Sequence, residues 1–280
     1  MKALVKVKTD DIQPGWFSDY SNNEYHNGIL KTLVSSSDWK EFARSPAHYK
    51  ASKEQPKEPT SAMNFGSAFH SLCMEFDSEV VVMPEINRRT KAGKAEYMAF
   101  MTENEGKYVV SANEMKSLKA MVDAVYHHKF AKKLVETPYR ELTGIFQDVG
   151  TGLWCKIRPD YIDFDRLIIS DLKTTIDAGK EAFSKQIFNL YYHWSAAWYK
   201  HGARILHGEN FSFLIIAVEK TPPYGVNTFF LDGRSIRVGW EVIFGLTGDF
   251  MDCIKEDKWP SYRQLLIRPD IPAWIKYEIN

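Results

Sequence analysis

The chain has 280 residues, with 36 Lys and Arg balanced by 36 Asp and Glu, and with 44% hydrophobic and 14% aromatic residues. That apolar content supports a sizeable core and excludes disorder as a description of most of the chain. The cancelled charge excludes a global positive field, so a polyanionic partner would have to be met by a local surface.

Cys73, Cys155 and Cys253 are far apart and in no CxxC pair, which argues against a disulfide framework and against a four-cysteine zinc or iron–sulfur site. The first 17 residues lack the apolar stretch of a signal peptide, and no run approaches the roughly 20 apolar residues that cross a bilayer. The expectation is a soluble cytoplasmic protein with no membrane partner, folded as a single domain over 1–280.

In chain order, residues 4–7 read as a short strand. Ser35 to Ser37 then precede Asp38-Trp39-Lys40-Glu41-Phe42, an N-capped short helix ended by Ser45-Pro46. Residues 51–60, rich in Lys, Glu, Pro and Gln, read as a surface linker. Over 61–76, Phe65, Phe69, Leu72, Cys73 and Phe76 recur at helical spacing, with Gly66 and His70 one turn apart. Residues 87–94 are the densest basic stretch, and a longer helix is expected over 113–135.

The period then changes. Residues 141–149 and 153–162 read as strands joined by Gly150-Thr151-Gly152, with 167–172 as the third strand of a β-meander. Ile168-Ile169-Ser170-Asp171-Leu172 is nearly continuous apolar sequence around one acid, as in a strand buried on both faces. Residues 179–201 predict one aromatic-rich amphipathic helix, 211–218 and 226–231 two strands, and 236–255 a last helix.

Asp160 falls at the end of one predicted strand, and Asp171 and Lys173 at the end of the next. Asp171 and Lys173, two apart on a strand, project from one face, while Leu172 points into the opposite layer. Two converging carboxylates call for a cation, and hard oxygen ligands suit magnesium, with manganese as a substitute. A lysine beside them can hold water for attack on a phosphodiester and neutralise charge on the phosphoryl oxygens. A D-x-K triplet by itself is more often a solvent-facing strand end, and Ile157-Arg158-Pro159-Asp160 even recurs as Ile267-Arg268-Pro269-Asp270 without a following D-x-K.

Linked motifs narrow the reading. Thr151 to Asp160 followed by Asp171-Leu172-Lys173-Thr174-Thr175 resembles the nuclease domain of the exodeoxyribonuclease VIII (RecE) family and its phage-borne relatives, which are PD-(D/E)XK enzymes. Ser45-Pro46-Ala47-His48-Tyr49-Lys50, Phe65-Gly66-Ser67-Ala68-Phe69-His70 and Arg89-Thr90-Lys91-Ala92-Gly93-Lys94 resemble that family's upstream motifs in the same order, so the resemblance covers residues 35–202.

It implies an α/β fold, a central mixed sheet flanked by helices. It implies metal ligands at His70, Asp160, Asp171 and the Leu172 carbonyl, and a catalytic lysine at Lys173. Gly66 would let its helix approach the sheet closely enough for His70 to reach the metal. Glu141 either reaches the metal site, as an acid at that place often does in related nucleases, or is a cross-strand surface charge. Arg88, Arg89, Lys91 and Lys94 are candidate DNA-phosphate contacts, or a solvated loop.

The implied activity is magnesium-dependent 5′ to 3′ trimming of linear double-stranded DNA ends, leaving single-stranded tails for recombination. The implied partners are a single-strand annealing protein and further copies of the chain in a DNA-encircling ring. A CRISPR-adaptation or helicase-associated type of nuclease without an iron–sulfur cluster, and an inactive DNA-binding protein on the same fold, are the competing readings. One departure stands out: many relatives carry Q-x-x-x-Y on the next helix, where this chain has Ser195 and Tyr199.

Overall fold

The structure is a computed structural model that describes residues 12–55 and 60–262. In chain order its elements are β1 (Gly15–Phe17), α1 (Asn22–Asn27), α2 (Ser36–Arg44), α3 (Pro46–Glu54), α4 (Ser61–Cys73), β2 (Val80–Val82), α5 (Lys91–Glu103), β3 (Tyr108–Val110), α6 (Ala112–His127) and α7 (Lys129–Val135). They continue as β4 (Tyr139–Arg140), β5 (Thr143–Gln147), β6 (Trp154–Ile157), β7 (Tyr161–Asp163), β8 (Ile168–Thr175), α8 (Lys180–Asn189), α9 (Tyr192–His207), β9 (Ser212–Glu219), β10 (Val226–Leu231) and α10 (Gly233–Glu256). The strand expected over 4–7 and the second Ile-Arg-Pro-Asp lie outside the described residues.

The central sheet has the order β10-β9-β8-β7-β4 among the described residues. Its β8–β9 pair is parallel and its other pairs antiparallel, so the sheet is mixed. Alternation along β8 divides two cores. Ile169 packs with α2, α8, α9 and α10 through Trp39, Phe183, Trp198 and Phe250, whereas Leu172 packs with α4 and α6 through Phe69, Cys73 and Leu118. Helices therefore cover both faces, and Leu172 points away from the layer that Asp171 and Lys173 face, as a period of two requires.

The expected meander is present but opened in the middle. β5 pairs with β6, and β4 with β7, so one hairpin is shared between two sheets. Arg140 lies opposite Tyr161 and Gly144 opposite Ile157, which is one continuous register: the ladder is parted, with nothing inserted. Two residues account for the parting. Pro159 has no N–H to donate, and Glu141 has a left-handed backbone with φ of 47°.

Two expected helices are each broken into two. The run 113–135 divides at His128, whose ring accepts a hydrogen bond from Ala131 N (3.1 Å) and starts α7. The run 179–201 divides at Leu190-Tyr191, where Tyr191 takes φ of 55°. The linker expected over 51–60 begins inside α3, which Pro46 opens at its first turn, a position that needs no N–H. Among the described residues no helix is long and apolar enough to cross a membrane.

Candidate active site

The parted hairpin delivers the first carboxylate. Asp160 sits at the end of the gap, and where backbone pairing between β7 and β8 stops, its side chain takes over. Leu172 N donates to Asp160 Oδ2 at 2.6 Å, so a carboxylate occupies the next rung of the ladder. In an extended strand a residue's C=O points the same way as its N–H, so the Leu172 carbonyl also faces the site. Lys173 Nζ donates to it at 3.3 Å.

Asp171 and Lys173 project together from β8, with Lys173 Nζ 2.5 Å from Asp171 Oδ2. From the other side, α4 brings His70 Nδ1 to 3.6 Å from Asp160 Oδ1. The structure thus gathers His70, Asp160, Asp171, Leu172 and Lys173 midway along β8, just past the point where β7 stops pairing with it.

Glu141 lies on the rim of the gap. Its N–H donates to Asp160 O at 3.0 Å and its carboxylate pairs with Arg158 Nη2 at 3.0 Å. Burial holds its carboxyl above the ordinary value, with Asp160 adding to the rise and Arg158 and His70 opposing it, and its side chain is committed to Arg158.

The charges are strongly coupled. Burial alone would raise Asp160, but the charges of His70 and Lys173 outweigh it and hold the carboxyl below its ordinary range. Burial holds Asp171 above its ordinary value despite Lys173, with Asp160 adding like-charge repulsion. Burial works against the charged form of Lys173 and of His70, yet Asp171 raises the lysine and Asp160 raises the histidine above their usual values. One carboxylate is thus stabilised as an anion while its neighbour resists ionising, the asymmetry expected of two acids that share one site.

Among the described residues no three His, Cys, Asp or Glu side chains are already gathered about one point as a finished metal shell. The donors nevertheless fit a hard divalent cation: two carboxylates, a backbone carbonyl free of the sheet ladder, and an imidazole. The Lys173 ammonium rests on two of those oxygens, Asp171 Oδ2 and Leu172 O, and so marks where positive charge is wanted.

One expectation is corrected. Gly66 faces Thr174 of β8, but a Cβ there would meet Thr174 Oγ1 at 3.8 Å, an ordinary contact. Close approach of α4 therefore does not require that glycine, and His70 reaches the site because α4 lies along β8. Among the described residues, no hydrogen bond or ion pair joins the basic run to the acids. Thr90 caps α5, and Arg88 stacks on Tyr97 with Cζ 5.1 Å from the ring centroid. Arg88, Arg89, Lys91 and Lys94 stand exposed, free to meet a phosphate but separate from the acids. The glycine that matters there is Gly93, where a Cβ would lie 2.0 Å from Asn87 O.

The neighbourhood also holds Lys40, which the sequence did not single out as a site residue. Lys40, on α2, donates to the Leu190 carbonyl at 3.3 Å, and both Lys40 Nζ (5.7 Å) and Lys173 Nζ (5.5 Å) lie over the ring of Tyr192. Tyr199, in the Q-x-x-x-Y position, is near Asp171 and Asp160; burial, with Tyr25 and those two acids, pushes its hydroxyl well above the usual tyrosine value. Gln186 accepts a hydrogen bond from Thr175 Oγ1 at 2.9 Å, which ties α8 to the end of β8. The three cysteines are free and buried.

A mixed sheet whose adjoining strands bring D and then D-x-K together, beneath a helix carrying histidine, has the arrangement of PD-(D/E)XK nucleases. Residues 35–264 match the PDDEXK-like domain of unknown function (DUF3799), and the chain belongs to that family. This agrees with the resemblance to RecE-like PD-(D/E)XK nucleases, a class that generally depends on divalent metal ions.

Among solved structures, the chain is similar to an exonuclease candidate from Eubacterium rectale, at 14% identity and a TM-score of 0.62 over 92% of this chain and 100% of that one. That likeness shows the fold. A second solved chain, SSO0001, overlaps at 11% identity and a TM-score of 0.27, over 64% of this chain and 85% of that one, too low to carry an argument. No curated protein matches the chain in sequence.

Proposed function

We propose that the chain is a magnesium-dependent exodeoxyribonuclease that hydrolyses linear double-stranded DNA from its ends. The observation that carries this reading is the convergence of Asp160, Asp171 and Lys173 midway along β8 where β7 stops pairing, with Leu172 O and His70 beside them. His70, Asp160, Asp171 and the Leu172 carbonyl would hold the cation. When bound, magnesium, or manganese in its place, supplies positive charge against the phosphoryl oxygens and makes water more acidic.

The residues of the chain do the positioning. Leu172 N–H fixes the Asp160 carboxylate, and Arg158 holds Glu141 at the rim. Lys173, whose ammonium is stabilised by Asp171 and Asp160, stays charged at neutral pH and can orient water and neutralise the developing negative charge on phosphorus oxygens. Trimming in the 5′ to 3′ direction, a role in recombination, a single-strand annealing partner, a ring of several copies and a place in a bacterial cytoplasm all follow from the RecE resemblance. The exposed Arg88, Arg89, Lys91 and Lys94 are suited to the duplex backbone outside the site.

The test is digestion of linear, 5′-phosphorylated duplex DNA in magnesium, with a covalently closed circle as control. The wild type should degrade only the linear form, and Lys173→Ala should lower kcat by about a hundredfold to a thousandfold, the scale of losing one transition-state charge partner. Wild-type protein that binds DNA but leaves it intact in both magnesium and manganese would show a binding protein on a nuclease fold.

A further inference from the structure

Each acid of the site has a basic partner. Asp160 faces His70, Asp171 pairs with Lys173, and Glu141 pairs with Arg158. Lys40 is the cation left over. Its ammonium is half-buried, bonds only the Leu190 carbonyl, and has no carboxylate within ion-pair distance among the described residues.

Its position is costly in the free protein. α2 carries Lys40 to the Tyr192 ring that Lys173 also approaches, so two ammonium groups gather about one aromatic side chain. A ring face attracts one cation but does little to screen two from each other. The strain shows in the titration of Lys40, which burial first and the Lys173 charge second bring down to about 8. An unpaired cation next to a second cation, opening on a site built for phosphodiester chemistry, is complementary to a phosphate anion.

We propose that Lys40 is a second phosphate-binding residue of the site, its ammonium taking a non-bridging oxygen of the DNA strand beside the one that Lys173 meets. This rests on the nuclease reading and extends it. Lys173 acts at the reacting phosphorus, while Lys40 holds the strand. The two come from distant parts of the sequence, on α2 and β8, and Tyr192 at the start of α9 lies within reach of both. The Leu190 carbonyl, freed where α8 ends, keeps the Lys40 side chain extended towards the site before DNA arrives.

The experiment compares wild type, Lys40→Gln and Lys40→Arg by fluorescence anisotropy on a labelled duplex in calcium over a range of salt, and by steady-state cleavage in magnesium. Lys40→Gln should weaken binding and raise KM by about tenfold, the scale of a charge-assisted hydrogen bond. Its kcat should change far less, its Tm should hold, and the slope of log affinity against log salt should fall by about 1. Arginine should restore affinity and slope.

Unchanged affinity and salt slope in Lys40→Gln would overturn the assignment. So would a weakened variant with a lowered Tm and an unchanged slope, because that is the signature of a lost helix cap. The two readings separate cleanly. A wild type that binds DNA without cutting sinks the nuclease function while the salt slope still judges Lys40, and a wild type that does neither sinks both.

Discussion

Two clusters of buried charge stand in contrast, one built on Asp38 of α2 and one on Asp160 and Asp171. The first joins Asp38, Lys53 and Lys156. Asp38 accepts from Ser35 N at 2.7 Å, from Ser35 Oγ at 2.8 Å and from Lys53 Nζ at 2.8 Å. Lys53 also donates to the carbonyls of Lys31 (2.8 Å) and Leu33 (3.4 Å), and Lys156 to that of Tyr25 (2.5 Å), while its ammonium lies 4.0 Å from the Tyr25 ring centroid.

Asp38 and Lys53 each have several partners, Lys156 has the Tyr25 carbonyl and ring, and the outcome is mechanical: the segment containing α1 is pinned to β6. In the second cluster two acids share one site, one carbonyl is free of the ladder and one lysine has, among the described residues, no carboxylate within ion-pair distance. Saturated buried charge holds a fold together; unsaturated buried charge waits for something to arrive.

The comparison can be broken most severely at Lys53. Lys53→Ala leaves Asp38 buried without its cation and should cost about 3–5 kcal/mol in denaturant unfolding, more than Lys173→Ala, which removes activity but leaves Asp171, already held above its ordinary value by burial, able to take up a proton. Equal stability losses in the two variants would erase the distinction.

Lys156 sharpens the contrast through pH. Burial, with Lys53 the next cause, lowers its pKa to about 7 in the folded protein, whereas in the unfolded chain it titrates in the ordinary lysine range. Between those values the unfolded chain binds the extra proton. Stability should therefore rise as pH climbs from about 7 towards 10, and below 7 the burial cost is present in full. Urea unfolding across that range should show the slope in wild type and lose it in Lys156→Met.

The smallest effect is expected at Gly66. With an ordinary contact awaiting a Cβ, Gly66→Ala should keep nuclease activity and gain up to about 1 kcal/mol from helix propensity. A collapse of activity in that variant would restore the close-approach explanation for His70.

Much of this was legible in the sequence where signals are local. The hairpin and β8 announce themselves by alternation and by an acid inside an apolar run, and the linked motifs bring out His70, Asp160, Asp171 and Lys173. The breaks at His128 and Tyr191 were hidden because apolar periodicity continues across both, and neither residue is a glycine or proline. Lys40 was hidden for another reason. A single lysine on a short helix has no pattern of its own, and its carbonyl partner lies 150 residues away. The basic run shows the converse, a conspicuous local pattern whose side chains stay apart from the acids.

The rung of the ladder that Asp160 occupies also makes the site readable without any substrate. The Leu172 amide proton points straight at that carboxylate, 2.6 Å away from nitrogen to oxygen. Its magnetic resonance frequency should shift when a cation draws on Asp160, so one backbone nucleus in a protein otherwise at rest can serve as a gauge of occupancy.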